Sequence, residues 1–490
     1  MKKPSILAAG LALAIGAGTG FAQSNPELAA LQKRLEELEK KTSRLEAENR
    51  QLLNSEVATP PPRDADKIKL TKGLAELKLG GDLRLRYQYD NADKQVDPPG
   101  AGGQYVNHKG DQRSRWRYRL RLNADFKLGS NWYGGLTLQT GSAADSGFVD
   151  YGGGFSNYDI YISRAFIGWD PHESLTLLLG KQPKPFHYSE LTWSNDVNPT
   201  GVSETVRLHK LVGDGAEETI TGYTKDGAPI VSSTPVSRDP DWELTFVAGQ
   251  YLFDSNNEYN WDSDHSTDAY LFLQQLIGSY RFSKDVKLTI APTFSLYNAA
   301  HITAADNAKP FTDANIPAVY DKDGRRLYTG ATRDLHLLQG PGELAFKVFG
   351  QKAKFVWDIS YNLDGAKRTR DIYGIANHSG QDNLAWLLGL QLGDNRKQGD
   401  WSALVNYRQV GIASIDPNLN DSTWALSRLN VKGWKAALSY NFTDNVMGVL
   451  TFTTADDLRN DLIGGQATGG AALADLNSVQ TLQVDFNVKF

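Results

Sequence analysis

The chain of 490 residues carries 22% charged and 40% hydrophobic residues, a formal net charge of -5 and no cysteine. The missing cysteines remove disulfide frameworks, thiolate metal sites and cysteine nucleophiles together, and the small net charge argues against a general nucleic-acid binder. Beyond the N-terminus no apolar run approaches the roughly 20 residues of a membrane helix, so any crossing of a bilayer has to be made by strands, whose alternation hides their hydrophobicity.

Residues 1–22 read as an export signal. Lys2 and Lys3 supply the positive start, Ile6 to Ala17 the short apolar stretch, and Gly20-Phe21-Ala22 the small residues of a cleavage site. Residues 23–58 follow with a heptad seam, Leu28, Leu31, Leu35, Leu38, Thr42, Leu45, Asn49 and Leu52, flanked by Glu, Lys and Arg. That spacing predicts a short α-helical coiled coil, and a lone Asn at an a position, here Asn49, sets register or oligomer state. Arg34-Leu35-Glu36-Glu37-Leu38-Glu39 resembles a pattern found in trimeric coiled coils. Thr59-Pro60-Pro61-Pro62 ends the helix and opens a Pro-rich linker over 59–73.

From about Leu74 the period changes to two. Arg113, Arg115, Arg117, Arg119 and Arg121 share one face of an extended segment, while Trp116, Tyr118, Leu120 and Leu122 share the other. A row of arginines cannot be an apolar core, because each buried charge needs a partner. The Arg face must meet water and the apolar face lipid or core. The same grammar recurs at Leu83 to Tyr89, Phe355 to Leu363, Trp434 to Phe442 and Leu482 to Phe490.

Connections sort by length. Short polar turns fall near 129–131, 170–173, 283–285, 350–352, 394–399 and 443–445. Long polar loops fall near 90–112, 141–156, 183–203, 254–267, 299–340, 365–382, 411–430 and 456–477. Short turns at one rim and long loops at the other are the transmembrane-barrel pattern. Parity requires a returning strand between the ascending segments near 174–182 and 241–253, and Val202 to Leu211 fits it. The expectation is an all-β antiparallel transmembrane barrel over 74–490 with about 16 strands, wide enough for an aqueous channel. Segment 212–240 is too long for the short turn that this parity asks of it.

The strand ending in Phe490 looks like the assembly signal that outer-membrane barrels present to their insertion machinery. Gly180-Lys181-Gln182-Pro183-Lys184-Pro185-Phe186, followed by Trp193, Asp196 and Asn198-Pro199-Thr200-Gly201, resembles the third-loop region of the bacterial "putative porin" family. The part from Trp401 through Tyr407-Arg408 and Asp421-Ser422 to Phe490 is also similar to it. The resemblance implies a homotrimer of barrels in the outer membrane, each with one loop folded inward, and makes the coiled coil a periplasmic clamp or an attachment to peptidoglycan.

Strands one and two bring Arg84, Arg86, Arg113, Arg115, Arg117, Arg119 and Arg121 to one lumen face, a wall that attracts anions. With the third loop folded in, Glu190, Asp196 and Glu204 are expected to face that wall. Asp262, Asp264, His265 and Asp268, and Asp321-Lys322-Asp323-Gly324, match no EF-hand spacing and read as solvated loops. No catalytic residue, metal site or cofactor is assigned: the eight histidines show no H-E-x-x-H, and G-x-S-x-G, Walker A and Rossmann patterns are missing. The leading reading is a diffusion pore with a mild preference for anions. Its competitors are a substrate-specific channel, a barrel hydrolase and a tether from the outer membrane to peptidoglycan.

Overall fold

A sheet whose residues alternate between lipid and water leaves a row of unpaired N–H and C=O groups at each edge, which hydrocarbon does not tolerate. Closure removes both edges. The computed structural model describes residues 73–96, 106–141, 147–152, 159–211, 216–223, 229–235, 241–254, 269–298, 319–320, 326–327, 334–371, 377–459 (apart from 418, 422, 426 and 427) and 475–490, together with Arg34, Glu37, Lys40 and Lys41. Two units separate, Met1–Asp66 and Lys67–Phe490. In the first, the described positions Arg34, Glu37, Lys40 and Lys41 are helical and exposed. The expected export signal, the remainder of the coiled coil and the Pro-rich linker up to residue 72 lie outside the described residues, as do the acidic stretches 262–268 and 321–324.

The second unit is a closed antiparallel barrel of 16 strands. In order these are β1 (Leu74–Val96), β2 (Val106–Leu128), β3 (Trp132–Thr140), β4 (Ile160–His172), β5 (Leu175–Lys181), β6 (Thr200–Arg207), β7 (Trp242–Asp254) and β8 (Ala269–Ser283). Then come β9 (Val286–Ile290 and Thr293–Tyr297), β10 (His336–Gln339 and Gly342–Val348), β11 (Gln351–Asn362), β12 (Leu384–Gly393), β13 (Trp401–Val410), β14 (Val431–Asn441), β15 (Val446–Asp457) and β16 (Asp475–Lys489). The two breaks have one cause. Pro292 and Pro341 lack an N–H for the ladder, and they sit at one height, with Ala291 N donating to Pro341 O at 2.9 Å. The ring closes between β1 and β16, in register from Asp82↔Lys489 to Gln95↔Asp475. The seam ends in a reciprocal pair: Gly81 N donates to Phe490 O at 2.8 Å and Phe490 N to Gly81 O at 3.0 Å.

Three predicted boundaries move. The returning strand exists, but as Thr200–Arg207, with a 3₁₀ turn at Leu208–Lys210 where strand was expected. The described residues of the long segment after it form a two-stranded ribbon, Ala216–Tyr223 paired with Pro229–Pro235, where a short turn was expected. The loop expected at 90–112 is mostly strand, because the β1–β2 ladder runs on to Val96↔Val106. Polar residues do not end a strand whose backbone partners continue across the hairpin.

The outer face is apolar and aromatic: Leu79, Trp116, Ile167, Leu179, Ile359, Trp434, Leu438 and Phe486 are all exposed. Aromatics pair across neighbouring strands, as in Trp132 with Trp169 (stacked, centroids 5.2 Å) and Tyr407 with Trp434 (4.9 Å), the arrangement of an interfacial girdle. Apolar side chains also cluster inside, where Val247, Leu271, Leu273 and Leu337 are buried beneath a loop. There the alternation of polar and apolar residues fails, since the inner face of β7, β8 and β10 is covered as well.

Candidate functional site

Residues 182–199 leave the ring between β5 and β6 and fold into the lumen. Two glycines make the departure possible. Gly180 has φ +110° and Gly201 has φ +150°, and a Cβ on either would lie 2.5 Å from Ala165 O or 2.1 Å from Gln250 O. The loop is then seated by side chains. Phe186 and Trp193 meet edge to face (4.8 Å) over Tyr251 in the inner apolar patch, a contact type contributing about 0.5–1.5 kcal/mol beyond burial. Gln275 clamps His187, accepting from its N–H and donating to its carbonyl, both at 2.7 Å. Asp358, buried on β11, accepts from Ser189 Oγ (2.6 Å) and Thr192 Oγ1 (3.2 Å). Lys184 Nζ donates to the carbonyls of Ser194 (2.9 Å) and Val197 (2.8 Å), closing the loop on itself. Burial pushes the Lys184 ammonium down to about 8, against the pull of Asp196.

The tip reaches two walls. Asp196 meets Arg119 at 2.9 Å on β2. Glu190 meets Lys435 (2.5 Å) and Arg408 (3.3 Å) on β14 and β13. A second loop, 411–430, also folds inward, and the sequence reading placed it among the outer loops. Ala413, Ile415, Leu419, Trp424 and Ala425 are buried, and Asp421 N donates to Glu190 O at 3.2 Å. Leu419 O accepts from Ser194 N. Burial alone would raise Asp421, but Lys435 and Arg408 hold its carboxyl well below the usual carboxylate range. The apolar content of Ile412-Ala413-Ser414-Ile415 and of Trp424-Ala425 was the available signal, since a solvated loop has no use for it.

The seven arginines do share the lumen face, but not bare. Arg84 lies directly opposite Arg119, and Arg86 opposite Arg117. Like charges so placed are destabilising, and aspartates answer them. Asp485 takes Arg86 in a fork (2.7 and 2.9 Å), Asp82 takes Arg119 (3.1 Å) and Arg121 (2.7 Å), Asp90 takes Arg113 (3.1 Å) and Arg115 (3.4 Å), and Asp150 takes Arg115 (3.3 Å) and Arg117 (2.6 Å). Phe148, from the connection between β3 and β4, lies over Arg86 at 4.2 Å from its ring centroid. Such cation–π contacts strengthen when desolvated. Seven cations against Asp82, Asp90, Asp150, Asp196 and Asp485 leave a positive surplus.

Of the three acids expected to oppose this wall, Asp196 does and Glu190 faces the neighbouring Lys435 and Arg408. Glu204 does not belong to the loop. It lies within β6, where Ser203 and Thr205 point inward, so alternation turns Glu204 outward beside Val202 and Val206. There it accepts from Gln250 Nε2 at 3.1 Å.

A barrel of this size, with loops folded into its lumen and charged side chains on its inner walls, has the architecture of a channel. The model of the "Putative porin" family matches residues 65–330 and 345–490. The chain belongs to that family. Among solved structures, the porin is similar to Salmonella typhi OmpF in complex with daunomycin, at 12% identity over 85% of this chain and 98% of the other, with a TM-score of 0.40. It is also similar to a mutant of the Rh. blastica porin, at 11% identity over 84% and 100%, with a TM-score of 0.37. No curated protein matches the sequence. Family and fold place the porin in an outer membrane.

Proposed function

We propose that this porin is a passive, water-filled channel for small hydrophilic solutes and ions with a mild preference for anions. The observation that carries the reading is the surplus of cations at the constriction: among the described residues, Arg84 has no carboxylate within ion-pair distance. Fixed charge in a narrow pore sets which ions enter. Single-channel currents in planar bilayers under a KCl gradient test it. A stepwise conductance with a reversal potential favouring chloride supports the reading. A potassium preference keeps the channel and overturns the selectivity, and a silent bilayer overturns the channel.

The assembly proposed is a homotrimer, with residues 23–58 forming a periplasmic three-helix coil that also contacts peptidoglycan. Conductance steps in groups of three support the trimer. Removal of 23–58 loosens the envelope and leaves channel activity intact if that segment is a tether. Phe490, at the β1–β16 seam, is proposed as the signal read by the barrel-assembly machinery, and Phe490→Ala is expected to lower the amount inserted.

A further inference from the structure

We propose that the cavity between β1, β2, β16 and the two inward loops is a binding site for a small oxyanion, a carboxylate or a phosphate. The proposal rests on the channel reading only for how the ligand arrives, which is through the lumen.

The cavity measures about 350 Å³ and is lined by Arg84, Arg86, Arg119 and Asn487, among others, a volume at the lower end of small-ligand sites, roughly 300–1,000 Å³. Three of the side chains that line it each carry a buried donor with no hydrogen-bond partner: Arg86 Nη1, Arg119 Nε and Asn487 Nδ2. Their side chains are all more than nine-tenths buried. Arg84 Nε donates to Asn487 Oδ1, which fixes the amide so that Nδ2 is the group left over. Buried donors without partners are costly and rare, and three around one cavity point to an acceptor that belongs there.

Charge gives the sign. On the opposite wall Glu190, Asp196 and Asp421 are each engaged by Lys435, Arg408 or Arg119, so the unmatched groups are donors and cations. The donors arrive from three different strands. A chloride ion offers one centre to them, whereas an oxyanion offers several oxygens in different directions and suits guanidinium forks. Phe148 over Arg86 holds that guanidinium on a face from which an anion gains most, because a ring has displaced water there.

The test uses the full-length porin in detergent and in bilayers, with inorganic phosphate and succinate as probes. Isothermal titration is expected to show saturable binding of one or both, and the same anion is expected to block the chloride current with a matching half-saturation. Asn487→Asp keeps the oxygen that Arg84 uses, removes the Nδ2 donor and adds a negative charge without changing shape. It is expected to weaken binding about ten-fold or more while the barrel still folds and conducts chloride. Phosphate binding alone assigns a tetrahedral oxyanion site, and succinate binding alone a carboxylate site. Absence of binding by both probes, or equal affinity in the wild type and Asn487→Asp, overturns the proposal. Binding by titration with a silent bilayer leaves the site standing and removes the channel reading instead.

Discussion

Asp196, at the tip of the first inward loop, accepts a hydrogen bond from Arg119 at 2.9 Å, and the same guanidinium reaches Asp82 at 3.1 Å. One arginine thus joins the ring wall to the loop that narrows it. Removing either end changes the charge in the passage in opposite directions. Asp196→Asn is expected to shift the KCl reversal potential toward chloride, and Arg119→Gln toward potassium. Neutralising Arg115, Arg117 and Arg119 together is expected to give the larger cationic shift, and an unchanged reversal potential in that triple variant counts against the charged-wall account.

Loop seating depends on a carboxylate that faces no solute. Asp358 is buried and takes both Ser189 and Thr192. Asp358→Ala strands two hydroxyls, a cost of about 1–3 kcal/mol. The Gln275 and Lys184 ties remain, so the barrel is expected to form with a lower thermal midpoint and noisier open-channel currents. A quiet channel with an unchanged midpoint would show that Asp358 does not hold the loop.

The passage should sense mildly alkaline pH. Lys184 has its ammonium pushed down to about 8 by burial. A lysine lowered on folding penalises the folded state while both states are protonated, and that penalty fades as pH rises from about 8 toward the unfolded value near 10.4. Charge is lost over the lower part of that window. The reversal potential is therefore expected to drift toward potassium between about pH 7 and 9, and Lys184→Met to abolish the drift.

Acid acts at the other wall. Asp421 is held below its ordinary value of 3.8 by Lys435 and Arg408, which overcome its burial. Its contribution is complete above the unfolded value and is lost as pH falls through the folded one. Thermal melts between about pH 5 and 2 are expected to show stability falling, with a shallower fall in Asp421→Asn.

The second inward loop narrows the lumen as well. Trp424 is buried, with Arg408 stacked on it at 4.8 Å. Trp424→Ala is expected to release the loop and raise single-channel conductance. An unchanged conductance would mean that 411–430 packs inside without limiting flow.

The barrel and its arginine row were legible because period two is imposed by backbone geometry wherever one face meets lipid. Asp358 and Asp485 were not legible as site residues, since each is one polar position in an alternating strand and its partner lies far along the chain, Ser189 for one and Arg86 for the other. The inward course of 411–430 was marked by Ile412, Ile415 and Trp424, but loop length alone had set its placement. Glu204 was misplaced by proximity in sequence. It lies a few residues past the loop, and one step along a strand reverses the side on which a residue sits.

That reversal gives the ring a compass bearing. Glu204 with Gln250, and Gln274 on the next strand, set a hydrogen-bonding spot into an outer band that is otherwise oily. Viewed from above, the barrel is not the same in every direction of the membrane plane. Substitutions at Glu204 alter the face turned to the membrane, while those at Asp196 alter the lumen, so two properties carried by a single continuous sheet are open to separate change.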